Sequence, residues 1–79
     1  MYLGVKAVKP MDDYMLLLTF ENDELGFFDM KPYLDFGPVF RQLKEPSMFN
    51  SVRVCFDTIS WANEADIDPE ILYPNCIFS

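Results

Sequence analysis

Three aspartates in the second half of the chain, Asp57, Asp66 and Asp68, are the residues whose chemistry is easiest to define. Carboxylate oxygens bind Mg²⁺ and Ca²⁺, and a pair of carboxylates can exchange protons with a substrate. Residues 66–70, however, lack the regular spacing and the glycine of a calcium-binding loop. Asp68-Pro69-Glu70 is instead typical of a helix start, with Asp at the N-cap and Pro at the first helical position. Helix capping is therefore the favoured explanation, and a metal or catalytic site is the second one.

Other familiar catalytic groups are missing from the sequence. It contains no histidine, which is the commonest general base and transition-metal ligand. Two cysteines, Cys55 and Cys76, are too few for a structural zinc site, and three glycines show no phosphate-binding spacing. We therefore expect no enzymatic activity and no cofactor. Both thiols are expected to be reduced and packed as small apolar side chains.

Aromatic side chains are better candidates for a binding function. The 79 residues are 51% hydrophobic and include eight Phe and four Tyr, whereas a domain of this size buries only about 60% of its unfolded surface. We expect either an exposed apolar patch, used for self-association or a partner, or a small core filled with rings. Tyr33, Phe36, Phe40 and Phe49 are interface candidates, because recognition residues often lie on irregular backbone. Trp61 is a further candidate anchor, although burial in the core is the favoured explanation.

The charge distribution limits the class of partner. The net charge is −7, the six basic residues are scattered, and none follows Arg53. Binding to nucleic acid or to an anionic membrane needs clustered Lys and Arg, so neither is expected. An acidic surface has the right sign for a small basic protein partner. The favoured alternative is that the charge merely keeps an apolar domain soluble.

The sequence pattern predicts that the elements carrying these residues form one α+β domain over residues 1–79. Its sheet is mostly antiparallel and built from two β-hairpins. Alternating apolar residues from Leu3 predict a first strand that ends at Pro10. Residues 14–20 are almost wholly apolar and predict a strand covered on both faces, near the centre of the sheet. Residues 25–30 are its partner, and Asn22-Asp23 suits the tight turn between them.

The remaining sequence predicts short helices and a second hairpin. Residues 31–50 form short helical pieces that must be held by packing, so they are expected to make a crossover over the sheet. Residues 51–56 and 59–62 predict the second hairpin, with a turn at Asp57-Thr58, and a short C-terminal helix begins after Asp68. Neither a signal peptide nor a membrane-spanning run is visible, so a cytoplasmic location is expected.

The last third of the chain has a specific pattern that resembles a known family. The pattern is Ile59-x-Trp61-x-Asn63-x-x-Asp66-Ile67-x-Pro69-Glu70-x-Leu72-Tyr73, preceded by Phe20-Glu21-Asn22, Phe28-Asp29, Leu43 and Phe49. It resembles a family of small bacterial proteins known as domain of unknown function 2442. The resemblance covers nearly the whole chain. It implies no established activity and no catalytic residues.

The resemblance also has consequences for partners and turns. Members of that family are often encoded beside another small domain, which implies a toxin–antitoxin-like pair, and some longer relatives resemble fusions to a helix-turn-helix domain. Members often have Asn-Gly where this chain has Asn22-Asp23 and Asn63-Glu64. Because Asn tolerates the left-handed conformation, we expect altered turn geometry rather than a different fold.

These observations leave three functional hypotheses. We expect a non-catalytic protein-interaction module, such as the acidic antitoxin-like member of a pair, that binds a small basic protein or a second copy of itself. The first alternative is a ligand-sensing regulatory domain that lacks its DNA-binding appendage. The second is a metal-dependent enzyme built on Asp57, Asp66 and Asp68.

Overall fold

The computed structural model describes residues 3–78, which form an α+β fold, as predicted. In chain order the elements are β1 (Val5–Pro10), β2 (Met15–Phe20), β3 (Leu25–Asp29), α1 (Pro38–Arg41), α2 (Pro46–Phe49), β4 (Arg53–Cys55), β5 (Thr58–Ser60), α3 (Pro69–Leu72) and β6 (Ile77–Phe78). Four single 3-10 turns lie between them, at Asp12–Tyr14, Lys31–Tyr33, Gln42–Lys44 and Tyr73–Asn75.

The first predicted hairpin is confirmed. Strands β2 and β3 pair antiparallel, with Leu16 opposite Phe28, and the chain turns at Asn22-Asp23. The left-handed residue of this turn is Asp23, with a φ of 70°, and not the asparagine that the sequence suggested. The Asn22 side chain stabilises the turn by accepting a hydrogen bond from the Glu24 N–H at 3.1 Å.

Strand β2 lies between β1 and β3 in the main sheet, whose strand order is β1-β2-β3-β6. Its side chains alternate strictly: Leu16, Leu18 and Phe20 are buried, and the residues between them are partly exposed. The prediction of two covered faces was therefore wrong. The core lies on the face that carries Leu16, Leu18 and Phe20, and the opposite face of β2 is partly exposed to water.

The second hairpin is present but does not join the main sheet. Strands β4 and β5 form a separate two-stranded sheet and turn at Phe56-Asp57, one residue earlier than predicted. A hydrogen bond from the Val5 N–H to the Asp57 carbonyl, 3.0 Å long, ties this hairpin to β1. The second sheet thus packs beside the first and shares its core.

Strand β6, which the sequence did not predict, completes the main sheet along β3. It pairs Phe78 with Gly26 and Ile77 with Phe27. A side chain at Gly26 would have its Cβ only 2.9 Å from the Cβ of Cys76 and 3.0 Å from the Phe78 ring. Glycine at position 26 is therefore what lets the end of the chain lie so close to β3.

The core lies between the main sheet and the segment that follows it. The buried apolar residues are Val5, Leu16, Leu18, Phe20, Phe28, Met30, Leu34, Leu43, Phe49, Ile59, Trp61, Ala65, Ile67 and Leu72. They come from both sheets, from the predicted crossover at residues 31–50, and from residues 61–72. Within residues 3–78 no helix is long and apolar enough to cross a membrane.

Candidate interaction surface

Three aromatic rings form a column from the core to the surface of the crossover. The buried Phe28 ring stacks on Tyr33, with centroids 5.4 Å apart and planes at 24°. Tyr33 in turn meets Phe36 edge to face, at 5.2 Å and 69°. Phe36, at the outer end of this column, is 70% exposed. We call Tyr33, Phe36 and the partly exposed Val39 the crossover surface.

Polar contacts hold the backbone under the crossover surface. The Asn63 side-chain amide donates to the Val39 carbonyl at 3.0 Å and to the Gln42 side chain at 2.8 Å. Lys44 and Asp35 form an ion pair of 2.6 Å. Since short helices are unstable alone, these bonds and the packing of Phe40 and Leu43 are what order the segment.

Two of the five sequence-predicted interface residues are instead core residues. Phe49 and Trp61 are buried, and the Trp61 indole N–H donates to the Phe49 carbonyl at 3.1 Å. Phe49 also meets Tyr14 edge to face at 5.2 Å. The prediction that Phe49 is an interface residue was therefore wrong. For Trp61, the favoured explanation, burial in the core, is confirmed. Phe40 is half-buried, which leaves Tyr33 and Phe36 of the original set on the crossover surface.

The three candidate metal-binding aspartates do not assemble into a site. Asp68 caps α3, because its Oδ1 accepts a hydrogen bond from the Glu70 N–H at 2.9 Å, as the sequence predicted. Asp66 pairs through its backbone with Ser60, whereas Asp57 lies at the tip of the second hairpin. Within residues 3–78 no three His, Cys, Asp or Glu side chains come together as metal ligands.

The cysteines are separate thiols with no disulfide within the described chain. Cys76 packs against the core beside Gly26, and burial raises the pKa of its thiol to about 11. A thiol with so high a pKa carries little thiolate near neutral pH and is a poor nucleophile or metal ligand. Cys55 is half-buried in β4.

A groove of about 300 Å³ lies between residues 11–14 and α2. The sequence did not predict it. Tyr14 and Phe49 form its apolar wall, while Asp12 and Asp13 line its rim. Two consecutive residues there, Asp13 and Tyr14, have left-handed backbone, with φ values of 61° and 59°. No sequence signal marks this groove, because its two walls are more than 30 residues apart along the chain.

A second feature missed by the sequence is Phe56, at the tip of the β4-β5 turn. Its side chain is 95% exposed and its φ is 54°. Other exposed apolar side chains lie elsewhere, with Ile77 at 66% and Leu25 at 49% on the main sheet. The available signal was an aromatic residue directly before the predicted turn, but that turn was placed one residue too late, at Asp57-Thr58.

Acidic side chains dominate the part of the surface that follows Arg53. Asp57, Glu64, Asp66, Asp68 and Glu70 are all exposed. The four ion pairs among the described residues involve only three lysines, which all lie before residue 50. The loop after the second hairpin therefore carries an excess of acidic side chains, and no Lys or Arg follows Arg53 in the chain.

Fold and surface together define a small α+β protein with exposed aromatic rings and an acidic surface. The chain belongs to the family described as protein of unknown function (DUF2442), whose model matches residues 5–78. The resemblance drawn from the Trp61-to-Tyr73 pattern is thereby confirmed. The comparisons with curated proteins and with solved structures gave no match.

Proposed function

We propose that this protein is a non-catalytic protein-interaction module, the acidic and antitoxin-like member of a two-protein pair, and that its partner is a small basic protein. The observation that carries the proposal is Phe36. This large apolar ring is 70% exposed on an otherwise ordered segment, at the end of the aromatic column.

The column makes Phe36 a suitable anchor. Aromatic residues dominate the binding energy of many interfaces when they enter a pocket on the partner. A ring that is already held against Tyr33 loses less conformational freedom on binding than a mobile one. Tyr33 beside it, and the exposed Val39 three residues later in the chain, would extend the apolar contact that excludes water around the anchor.

Charge favours a basic partner over a second copy of the chain. The net charge of −7 speeds encounter with a basic protein, and it opposes association of two identical acidic chains. The family resemblance also implies a pair of two different small proteins, which agrees with a partner other than a second copy of this chain. A basic toxin-like protein is therefore the partner class that we propose.

The experiment uses the tagged protein and two matched variants as baits in cell extract, with bound proteins quantified by mass spectrometry. Phe36→Ser removes the anchor, and Ile77→Ser removes a similarly exposed apolar side chain from the main sheet. We expect one basic protein to be retained in stoichiometric amount by the wild type and by Ile77→Ser. Phe36→Ser should lose most of it, and raising the salt concentration should release it.

Two outcomes contradict the proposal. Equal retention by all three baits would show that the crossover surface is not the contact, and the absence of any stoichiometric protein would remove the paired-module function. Circular dichroism of each bait must show an unchanged fold, because a misfolded variant loses partners for a trivial reason.

The groove beside Tyr14 favours a small-ligand sensor as the second candidate function. Its volume of about 300 Å³ lies at the small end of known ligand sites, and its wall is partly aromatic. A thermal-shift screen of small molecules tests it, because a ligand that binds only the native state raises the melting temperature. Tyr14→Ala should abolish any such shift, whereas Phe36→Ser should preserve it.

A further inference from the structure

Phe56 combines two unfavourable features at one position. It occupies the two-residue turn between Cys55 and Thr58, which are paired in the β4-β5 ladder. Its φ of 54° lies in the left-handed region, which β-hairpin turns normally fill with Gly, Asn or Asp. Its ring is 95% exposed, so an aromatic side chain is almost entirely in water.

The other left-handed residues of the described chain differ from Phe56 because each has a stabilising contact. For three of them it is a side-chain contact: the Asp13–Lys31 ion pair at 3.3 Å, the Tyr14 ring on Phe49 at 5.2 Å, and the Asp23–Lys6 ion pair. Glu64 has only the backbone bond of its turn, from its N–H to the Trp61 carbonyl at 2.9 Å. At 95% exposure the Phe56 ring has almost no contact with the chain. The β4-β5 ladder and the Val5–Asp57 bond hold this turn in place, and strained residues held in this way are concentrated at functional positions.

We propose that Phe56 is a binding anchor, whose ring enters an apolar pocket on the surface of a basic protein. This inference rests on the proposed function and deepens it, since it adds a second and separate contact for the same partner. The left-handed turn projects the ring outward from the tip of a hairpin that the 3.0 Å bond from Val5 to Asp57 holds in place. The ring is thus presented on an ordered support rather than on a mobile loop.

Acidic groups beside the tip specify the charge of the partner. Glu21 accepts a hydrogen bond from the Gly4 N–H at 3.0 Å, and the Cβ of Asp57 lies beside the same glycine, so the Glu21 carboxylate is close to the tip residue Asp57. The chain as a whole carries a net charge of −7. A second copy of this acidic surface would be repelled, whereas a basic surface around an apolar pocket would be attracted.

The first test measures stability and needs no partner. Phe56→Gly and Phe56→Asn should both raise the urea concentration at the unfolding midpoint, because each relieves the left-handed strain. The matched control is Leu25→Gly, which removes an exposed apolar side chain from ordinary strand backbone and should lower the midpoint. A Phe56→Gly variant that is no more stable than the wild type overturns the claim of strain.

The second test measures binding. Benzoylphenylalanine, a photo-crosslinking amino acid, replaces Phe56 in one bait and Leu25 in another, and each full-length chain is irradiated in its cells. We expect one basic protein to be crosslinked from position 56 and not from position 25. That protein, once purified, should bind Phe56→Gly on the order of tenfold more weakly than the wild type. Phe56→Tyr, which keeps the ring, should retain binding.

The outcomes separate this inference from the proposed function. A basic partner that binds the wild type and Phe56→Gly equally, while Phe36→Ser weakens it, removes the Phe56 anchor and leaves the module. A crosslinked partner that is a second copy of this chain overturns the basic-surface assignment. The absence of any partner in both experiments removes both proposals.

Discussion

At the residue scale, Cys76 shows how packing decides the chemistry of a side chain. It lies against Gly26 and Phe78, so close that only glycine fits opposite it. Its half-burial disfavours the charged thiolate and raises the pKa to about 11. The sequence predicted a reduced thiol packed as a small apolar side chain, and the structure shows the packing that raises the pKa.

The alkylation rate of Cys76 tests this shift. In a Cys55→Ser variant, which isolates Cys76, only about one thiol in a thousand is ionised at pH 8 when the pKa is near 11. The native protein should therefore react with iodoacetamide on the order of 100-fold more slowly than the same variant unfolded in urea, where a Cys pKa is about 8.5. Because the folded pKa is raised, the native rate should climb about tenfold per pH unit until the pH approaches that pKa.

The unfolded variant is the internal control, since it keeps the same sequence and loses only the packing. Equal rates in the folded and unfolded states at pH 8 would show that the thiol is neither buried nor shifted. A native rate that stops rising below pH 9 would place the folded pKa near its ordinary value.

At the scale of elements, two turns of the chain are built in the same way. In each, an Asn side chain accepts a hydrogen bond at 3.1 Å from the N–H two residues later, from Asn22 to Glu24 and from Asn63 to Ala65. In each, the next residue is left-handed, with φ values of 70° at Asp23 and 69° at Glu64. The resemblance drawn from the sequence implies Gly at these two positions in other members of the family. The resemblance therefore predicted the right fold, but the left-handed conformation belongs to the residue after Asn.

Restoring glycine at the second turn should stabilise the protein. A left-handed conformation costs a non-glycine residue about 1–2 kcal/mol, and glycine avoids this cost. Glycine also loses more conformational entropy on folding, so only part of the stabilisation remains. We therefore expect Glu64→Gly to raise the free energy of unfolding by about 0.5–1 kcal/mol, measured by urea denaturation. Asp23→Gly should gain less, because it also removes the ion pair with Lys6.

Asn63→Gly is the matched control one residue earlier. It deletes the acceptor of the Ala65 N–H and the donor to the Val39 carbonyl, so it should lower stability. If both glycine variants at this turn changed stability by the same amount, the left-handed strain at Glu64 would not be the cause.

At the scale of the whole molecule, Trp61 joins the two sheets to the crossover. It follows β5, is fully buried, and donates its indole N–H to the carbonyl of Phe49 at the end of α2. The core thus contains residues from elements that are too short to be stable by themselves. One cooperative unfolding transition is the expected behaviour of such a shared core.

Trp61→Phe should lower the free energy of unfolding by about 2–4 kcal/mol, since it leaves a cavity and a buried carbonyl without a donor. Far-UV circular dichroism in urea measures this change. Phe36→Ser, at an exposed position, is the control and should change stability by no more than about 0.5 kcal/mol. A Trp61→Phe protein as stable as the control, or one that unfolds in two steps, would contradict a single core linked by Trp61.

Much of the fold was predictable because its signals are local. The β2-β3 hairpin follows from alternating apolar residues around Asn22-Asp23, and the Asp68 cap follows from the types of three consecutive residues. The candidate site was only partly predictable. Tyr33 and Phe36 were marked by lying in irregular backbone, but the same criterion also selected the buried Phe49.

The sequence by itself determined the α+β class, the family, the acidic charge and the absence of histidine, because these depend on composition or on neighbours along the chain. Only the tertiary structure decided which rings are buried, that β4 and β5 form their own sheet, and that β6 returns to β3. Those outcomes depend on contacts between residues far apart in sequence, such as Phe78 with Gly26. The exposure of Phe36 and Phe56 was likewise decided there, because a ring's exposure depends on how much of the core surface the other elements have already covered.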